Sequence, residues 1–267
     1  MPARRATALL ILLLASATVS CGGGRESVDV SPGSVAGETG GIANPQLIGK
    51  WNRLTETAHG QDQVEFKEGG SCVLQDSTQA LGCQWSGLPE GKVEVQFGAV
   101  TAKGSITGDE LSLDHDDGTK SSWLRAGSQA DKNSSDYFEG LAAIQSGNFM
   151  VGMSRWQRAA DQGHDGAQNS LAWVYAADEN SALHNGKKAV AYAEKATASK
   201  RHYIYLDTLA AALARDGQFE RAIKAEQEAI SLLTKATDRS PESRDAALQR
   251  FRRRLALYMA GQPYADS

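Results

Sequence analysis

Residues 169–230 read NSLAWVYAADENSALHNGKKAVAYAEKATASKRHYIYLDTLAAALARDGQFERAIKAEQEAI, and this stretch decides the fold class. Leu206, Leu209, Ala210 and Leu213 recur at the spacing of one helical face, and Phe219, Ala222, Ile223 and Ile230 form the next stripe. Gly217 between them is a helix stop, since glycine takes the left-handed backbone that closes a helix at no steric cost. The layout recurs one unit earlier: Leu171, Ala172 and Tyr175 precede a break at Asn185-Gly186, and Ala189, Val190, Ala193 and Ala196 follow it. Alanine at helix contacts lets backbones approach closely. Two such helix–turn–helix units therefore predict a helical repeat in which each unit buries its face on the next and presents a surface for interaction.

The repeat resembles tetratricopeptide and Sel1-like units, through Leu209, Ala210, Leu213, Gly217, Phe219, Ala222 and Ala229 in one unit and Leu171, Ala172, Tyr175, Ala189, Ala193 and Ala196 in the other. A third unit precedes them with Gly140, Gly147, Phe149, Trp156 and Ala159, and the interval from Ala159 to Ala196 to Ala229 brackets the family's roughly 34-residue period. A longer loop at 177–185 departs from the pattern. The resemblance implies that the first helices of successive units line a concave groove for a protein partner, with Tyr137, Asn169, Trp173, Tyr203, Asp207 and Arg215 as its candidates. Asp207 and Arg215 are expected on exposed helix faces. Ser240-Pro241-Glu242 opens a last helix with a cap, a first-turn proline and an acid at the positive end. Its stripe is Leu248, Phe251, Leu255 and Tyr258, with Arg250, Arg252, Arg253 and Arg254 largely on a solvated opposite face; contact with an acidic partner or anionic lipid is the functional alternative.

Upstream, over about 45–126, the period is two. Val64 and Phe66, then Val93, Val95 and Phe97, then Leu111 and Leu113 alternate with polar residues. Turn signals separate the runs at Gly69-Gly70, Pro89-Glu90-Gly91, Thr107-Gly108-Asp109 and Asp117-Gly118. About eight short strands follow, an antiparallel meander closed into a small barrel or sandwich. Leu47 to Trp51 (LIGKW), the following VEF, Trp85 and Trp123-Leu124-Arg125 resemble small lipocalin-like bacterial domains, which implies a barrel in which a small apolar ligand is possible. Trp51, Trp85 and Trp123 are core or pocket lining. The cluster Asp114-His115-Asp116-Asp117-Gly118 is a hairpin turn, or a weak cation site; it lacks the spacing of an EF-hand loop.

Arg4 and Arg5 precede an apolar run, residues 6–15, and small residues up to Cys21: a signal peptide over 1–20. Thr18-Val19-Ser20-Cys21 resembles the bacterial lipobox, although Thr18 stands where leucine is usual. The resemblance implies lipidation of Cys21, a membrane anchor and, with Gly22 rather than aspartate next, an outer-membrane lipoprotein facing the periplasm. An ordinary secretory signal is the alternative. Residues 21–44 are a Gly- and Ser-rich tether. Export leaves Cys72 and Cys83 to pair as a disulfide, worth about 3 kcal/mol on chain entropy; a metal or redox pair would need a different spacing.

The formal charge of −4 argues against nucleic acid as a partner. His59, His115, His164, His184 and His202 share no metal-ligand spacing, and no nucleophile elbow, HExxH or phosphate loop occurs. The sequence thus predicts a multidomain β + α chain, a lipocalin-like domain over 45–126 and a helical repeat over 133–262, without cofactor or metal. Its expected work is protein–protein scaffolding in the cell envelope rather than catalysis. The rivals are a carrier, with the β domain holding a small apolar ligand, and a structural spacer.

Overall fold

The computed structural model describes residues 44–54, 59–76 and 79–266, and the chain divides into two compact units at Ala126–Gly127. Cys21, the leader and most of the tether lie outside the described residues.

The first unit is a closed eight-stranded antiparallel barrel in chain order. Its strands are β1 (Gly49–Leu54), β2 (His59–Phe66), β3 (Ser71–Gln75), β4 (Ala80–Gly87), β5 (Lys92–Phe97), β6 (Val100–Thr107), β7 (Glu110–His115) and β8 (Lys120–Arg125). Closure is by β1 on β8, with Trp51 opposite Arg125 and Leu54 opposite Ser122. Alternation places every second side chain inside, so Leu47, Trp51, Val64, Phe66, Val93, Val95, Leu111, Leu113 and Trp123 make one buried cluster. Most of these have no accessible area at all, which leaves no water-sized void against them. Trp51 donates its indole N–H to the Leu47 carbonyl at 2.8 Å and Trp123 donates to Ser121 Oγ at 2.9 Å, so both rings are satisfied core residues. Trp85 is half-buried, its N–H on the Lys67 carbonyl. Cys72 and Cys83 face each other across β3 and β4 and are joined by a disulfide. At the β7–β8 turn Asp117 accepts from the Thr119 amide and hydroxyl, hydrogen bonds that hold its carboxyl below the ordinary range; the cluster is a hairpin turn.

The second unit is helical: α1 (Gln129–Gln145), α2 (Phe149–Asp161), α3 (Asp165–Ala177), α4 (Gly186–Ser199), α5 (Tyr203–Arg215), α6 (Phe219–Lys235) and α7 (Pro241–Met259). α1 begins ahead of residue 133 because Ser128 Oγ caps it, accepting from the Asp131 amide. Each helix packs on the next in sequence, and α3 also packs on α5. The turns after α1 and α5 are the same device. Gly147 and Gly217 take positive φ (83° and 79°), and the amides of Asn148 and Gln218 reach back to the Ala143 and Leu213 carbonyls. Gly140 and Gly152 let α1 and α2 cross at close range, since a Cβ on Gly152 would lie 2.3 Å from Ile144. Alanines dominate the buried face of α3 to α6: Ala172, Ala176, Ala189, Ala193, Ala210 and Ala222 are sealed. Among the described residues no helix is long and apolar enough to cross a membrane.

Candidate functional site

α5 is the most enclosed helix, with α3, α4, α6 and α7 all packed against it. Its expected amphipathic reading is therefore corrected: Asp207, expected on an exposed face, is 0 % exposed. The position follows from spacing, because Tyr203, Asp207 and Ala210 lie on one face, and that face meets α7. There Arg254 Nε donates to Asp207 Oδ1 at 2.7 Å. Arg254, expected on the solvated face of α7, is itself 4 % exposed. It belongs to the apolar stripe through Phe251 and Tyr258, three residues before and four after it; Arg252 and Arg253 are the exposed ones. Charge reversal at Asp207 would thus bury an unpaired charge rather than probe a surface.

Glu226 of α6 completes this cluster at 0 % exposure. Its carboxyl lies against that of Asp207, and among the described residues no donor from elsewhere reaches Asp207 Oδ2 or either Glu226 oxygen. Two buried carboxylates facing one guanidinium would leave a net negative charge in a low-dielectric interior. Burial, reinforced by the Asp207 charge, pushes Glu226 up to about 11, so it is a carboxylic acid at neutral pH. As an acid it donates to Asp207, and the group of three becomes neutral overall. Burial also raises Asp207, while it opposes the charge of Arg254; the two carboxyls more than offset that and hold the Arg254 proton. The Arg254 guanidinium lies over the rings of Trp173 (5.5 Å), Phe251 (5.1 Å) and Tyr264 (5.2 Å). Sealed from solvent, this cluster fixes the seat of α7 on α5 and α6.

The remaining groove candidates divide between two ends of the helices. α3 and α5 run side by side in one direction: the Tyr205 and Asp165 side chains interact near their N-terminal ends, and Arg215 donates to the Ala176 carbonyl at their C-terminal ends. At the N-terminal end Tyr137 of α1 is buried, stacked on His164 (centroids 4.7 Å apart) and on Trp156. Tyr203 is buried too, donating to Asp238 at 2.8 Å and accepting from Arg239 Nε. Neither is an open groove residue. Beside them a half-buried row does reach the surface: His164, Asp165, Tyr205 and His202. Burial, then the nearby Lys200, lowers His202 and keeps it neutral at pH 7. Asn169 is half-buried, its Oδ1 without a partner among the described residues.

At the C-terminal end Trp173 is buried and donates its indole N–H to Asp266 at 2.9 Å. Arg215 is half-buried rather than exposed, donating to the Ala176 and Tyr264 carbonyls. The residues of consequence that the sequence leaves unplaced or puts on the wrong face are Glu226, Arg254, Tyr205 and Tyr264. For the first two a signal existed, because Ala222, Glu226 and Ala229 share one helical stripe just as Phe251, Arg254 and Tyr258 do. Among the described residues no group of three or more His, Cys, Asp or Glu side chains is arranged to hold a metal ion. Compared with known proteins, the chain matches no family model and no curated relative.

Proposed function

We propose that this chain is an exported, lipid-anchored interaction module whose helical unit holds a segment of a partner protein in the cell envelope. The observation that carries the reading is the half-buried row of His164, Asp165, Tyr205 and His202 across α3 and α5, backed by Tyr137 of α1. Amphipathic rings held rigid by their neighbours give large contact area at small entropic cost, which suits recognition of a peptide. We read the helices as tetratricopeptide- or Sel1-like units. The matched turns at Gly147 and Gly217 lie 70 residues apart, close to two periods of about 34. The filled barrel interior supports the scaffold over the small-ligand carrier. Anchoring through Cys21 at the periplasmic face of an outer membrane rests on the lipobox-like run.

The test is photo-crosslinking of the full chain in its own envelope. A crosslinker in place of Tyr205 is expected to give a discrete protein adduct, while one at exposed Lys103 on the barrel gives none. Tyr205→Ala should weaken the same association by about 1–2 kcal/mol. Adducts from Lys103 alone would place the interaction on the wrong unit. For the anchor, Cys21→Ala should release the protein from membranes, and a mature mass without acyl groups would refute lipidation.

A further inference from the structure

The segment after α7, residues 260–266, leaves the helix and runs back along the C-terminal ends of α3 and α5. It is held there as a bound peptide would be. Main-chain groups are engaged at both ends: the Tyr264 carbonyl accepts from Arg215 at 2.6 Å, and the Asp266 amide donates to the Ala177 carbonyl at 2.7 Å. Side chains alternate as in an extended strand. Tyr264 and Asp266 turn inward and are half-buried, while Pro263 and Ala265 are exposed. The Tyr264 ring packs on Trp173, with centroids 5.9 Å apart, and against the Arg254 guanidinium. The Asp266 carboxylate accepts from the Trp173 indole.

From this we infer that the end of α3 and α5 around Trp173 and Arg215 is a docking site for an extended partner segment of aromatic–X–acid pattern, occupied in this state by the chain's own Tyr264-Ala265-Asp266. The inference rests on the interaction-module reading and names the chemistry of the segment. Main-chain bonds to Arg215 and Ala177 would serve any extended peptide, whereas the Trp173 indole selects an acid and the Trp173–Arg254 surface selects a ring two residues before it. The resident segment makes a small contact. Only two of its side chains are inward, Tyr264 and Asp266, and both are half-buried rather than sealed. Tethering gives the resident segment an effective concentration on the order of millimolar, so the intact chain should bind a free peptide weakly.

The experiment uses the full chain and a doubly capped, fluorescent peptide of residues 260–267. Wild type is expected to bind it at least about tenfold more weakly than the Tyr264→Ala/Asp266→Ala chain, because the tethered competitor is gone. A peptide with the same two replacements should bind neither. A folded double variant, with wild-type circular dichroism, that fails to bind the wild-type peptide overturns the inference. If the double variant unfolds, Asp266→Asn replaces it: added peptide should then quicken hydrogen exchange at the Asp266-position amide by displacement, and unchanged exchange at saturating peptide overturns the inference equally. Crosslinking from Tyr205 separates the two readings. Adducts that persist while peptide binding fails sink the tail site alone, and loss of both sinks the module itself.

Discussion

The barrel and the helical unit bury their interiors by opposite means. The barrel fills its centre with large apolar side chains, Trp51, Phe66, Leu111, Leu113 and Trp123 among them, and its buried polar residues are only Asn44 and Ser121 among those described. The helical unit is packed with alanine and encloses Asp207, Glu226 and Arg254. Geometry explains the difference. Every strand in the barrel has an outward slot at each second residue, so its charges find water. α5 is packed on by four helices and keeps a half-buried edge at Tyr205 and Leu209, so a charge on the Asp207 face must find a partner inside. Alanine allows the close approach but buries little area per residue. Position is then set by polar geometry, in this case the seat of α7.

Breaking one partner of the buried cluster should have the largest effect. Arg254→Met leaves Asp207 buried and uncompensated, and should cost about 3–5 kcal/mol in denaturant unfolding of the helical unit. The sharper form of the test is the triple replacement of Asp207, Glu226 and Arg254 by apolar residues of similar size. It should recover most of that loss if the cluster supplies position rather than net stability.

The barrel also carries a covalent cross-link. Replacing Cys72 and Cys83 by alanine should cost about 3 kcal/mol and raise hydrogen exchange in β3 and β4, because the cross-link restricts the unfolded chain. Unchanged exchange in those strands would mean that the apolar interior alone holds the barrel, which would widen the contrast.

A pH series addresses the cluster's protonation. Glu226 is raised in the folded state far above its unfolded value, so the folded chain keeps a proton that the unfolded chain releases. Its contribution is fully present below the unfolded carboxylate range near pH 4 and is lost progressively as pH rises toward about 11, at up to about 1.4 kcal/mol per pH unit. Glu226→Gln removes that proton from the balance. It should flatten the decline of stability between pH 6 and pH 9 and raise stability at the alkaline end. An identical slope in wild type and variant would show Glu226 ionised in the fold.

The smallest effect is expected on the barrel's surface. Lys120 and Asp114 form an ion pair with side chains 80 % and 68 % exposed, and Lys120→Ala should leave the melting temperature unchanged within error. A clear loss there would blur the distinction between a barrel indifferent to its charges and a helical unit organised by them.

Much of this architecture follows from sequence alone. Period two in VEVQF and ELSL, with turn residues between, determines strands that alternate inside and out. Period near four, with Gly147 and Gly217 as stops, determines paired helices. Both signals are local, because a backbone repeats its side-chain direction within a few residues. Which face of a helix meets solvent is not local. The Tyr203–Asp207–Ala210 stripe looks the same whether α7 covers it or water does, and only the packed tertiary structure places Arg254 there and takes Asp207 out of a presumed groove. The resting place of Tyr264 and Asp266 is decided still further from the sequence. An extended segment carries no periodic signature of where it docks, and its seat exists only once the ends of α3, α5 and α7 are brought together.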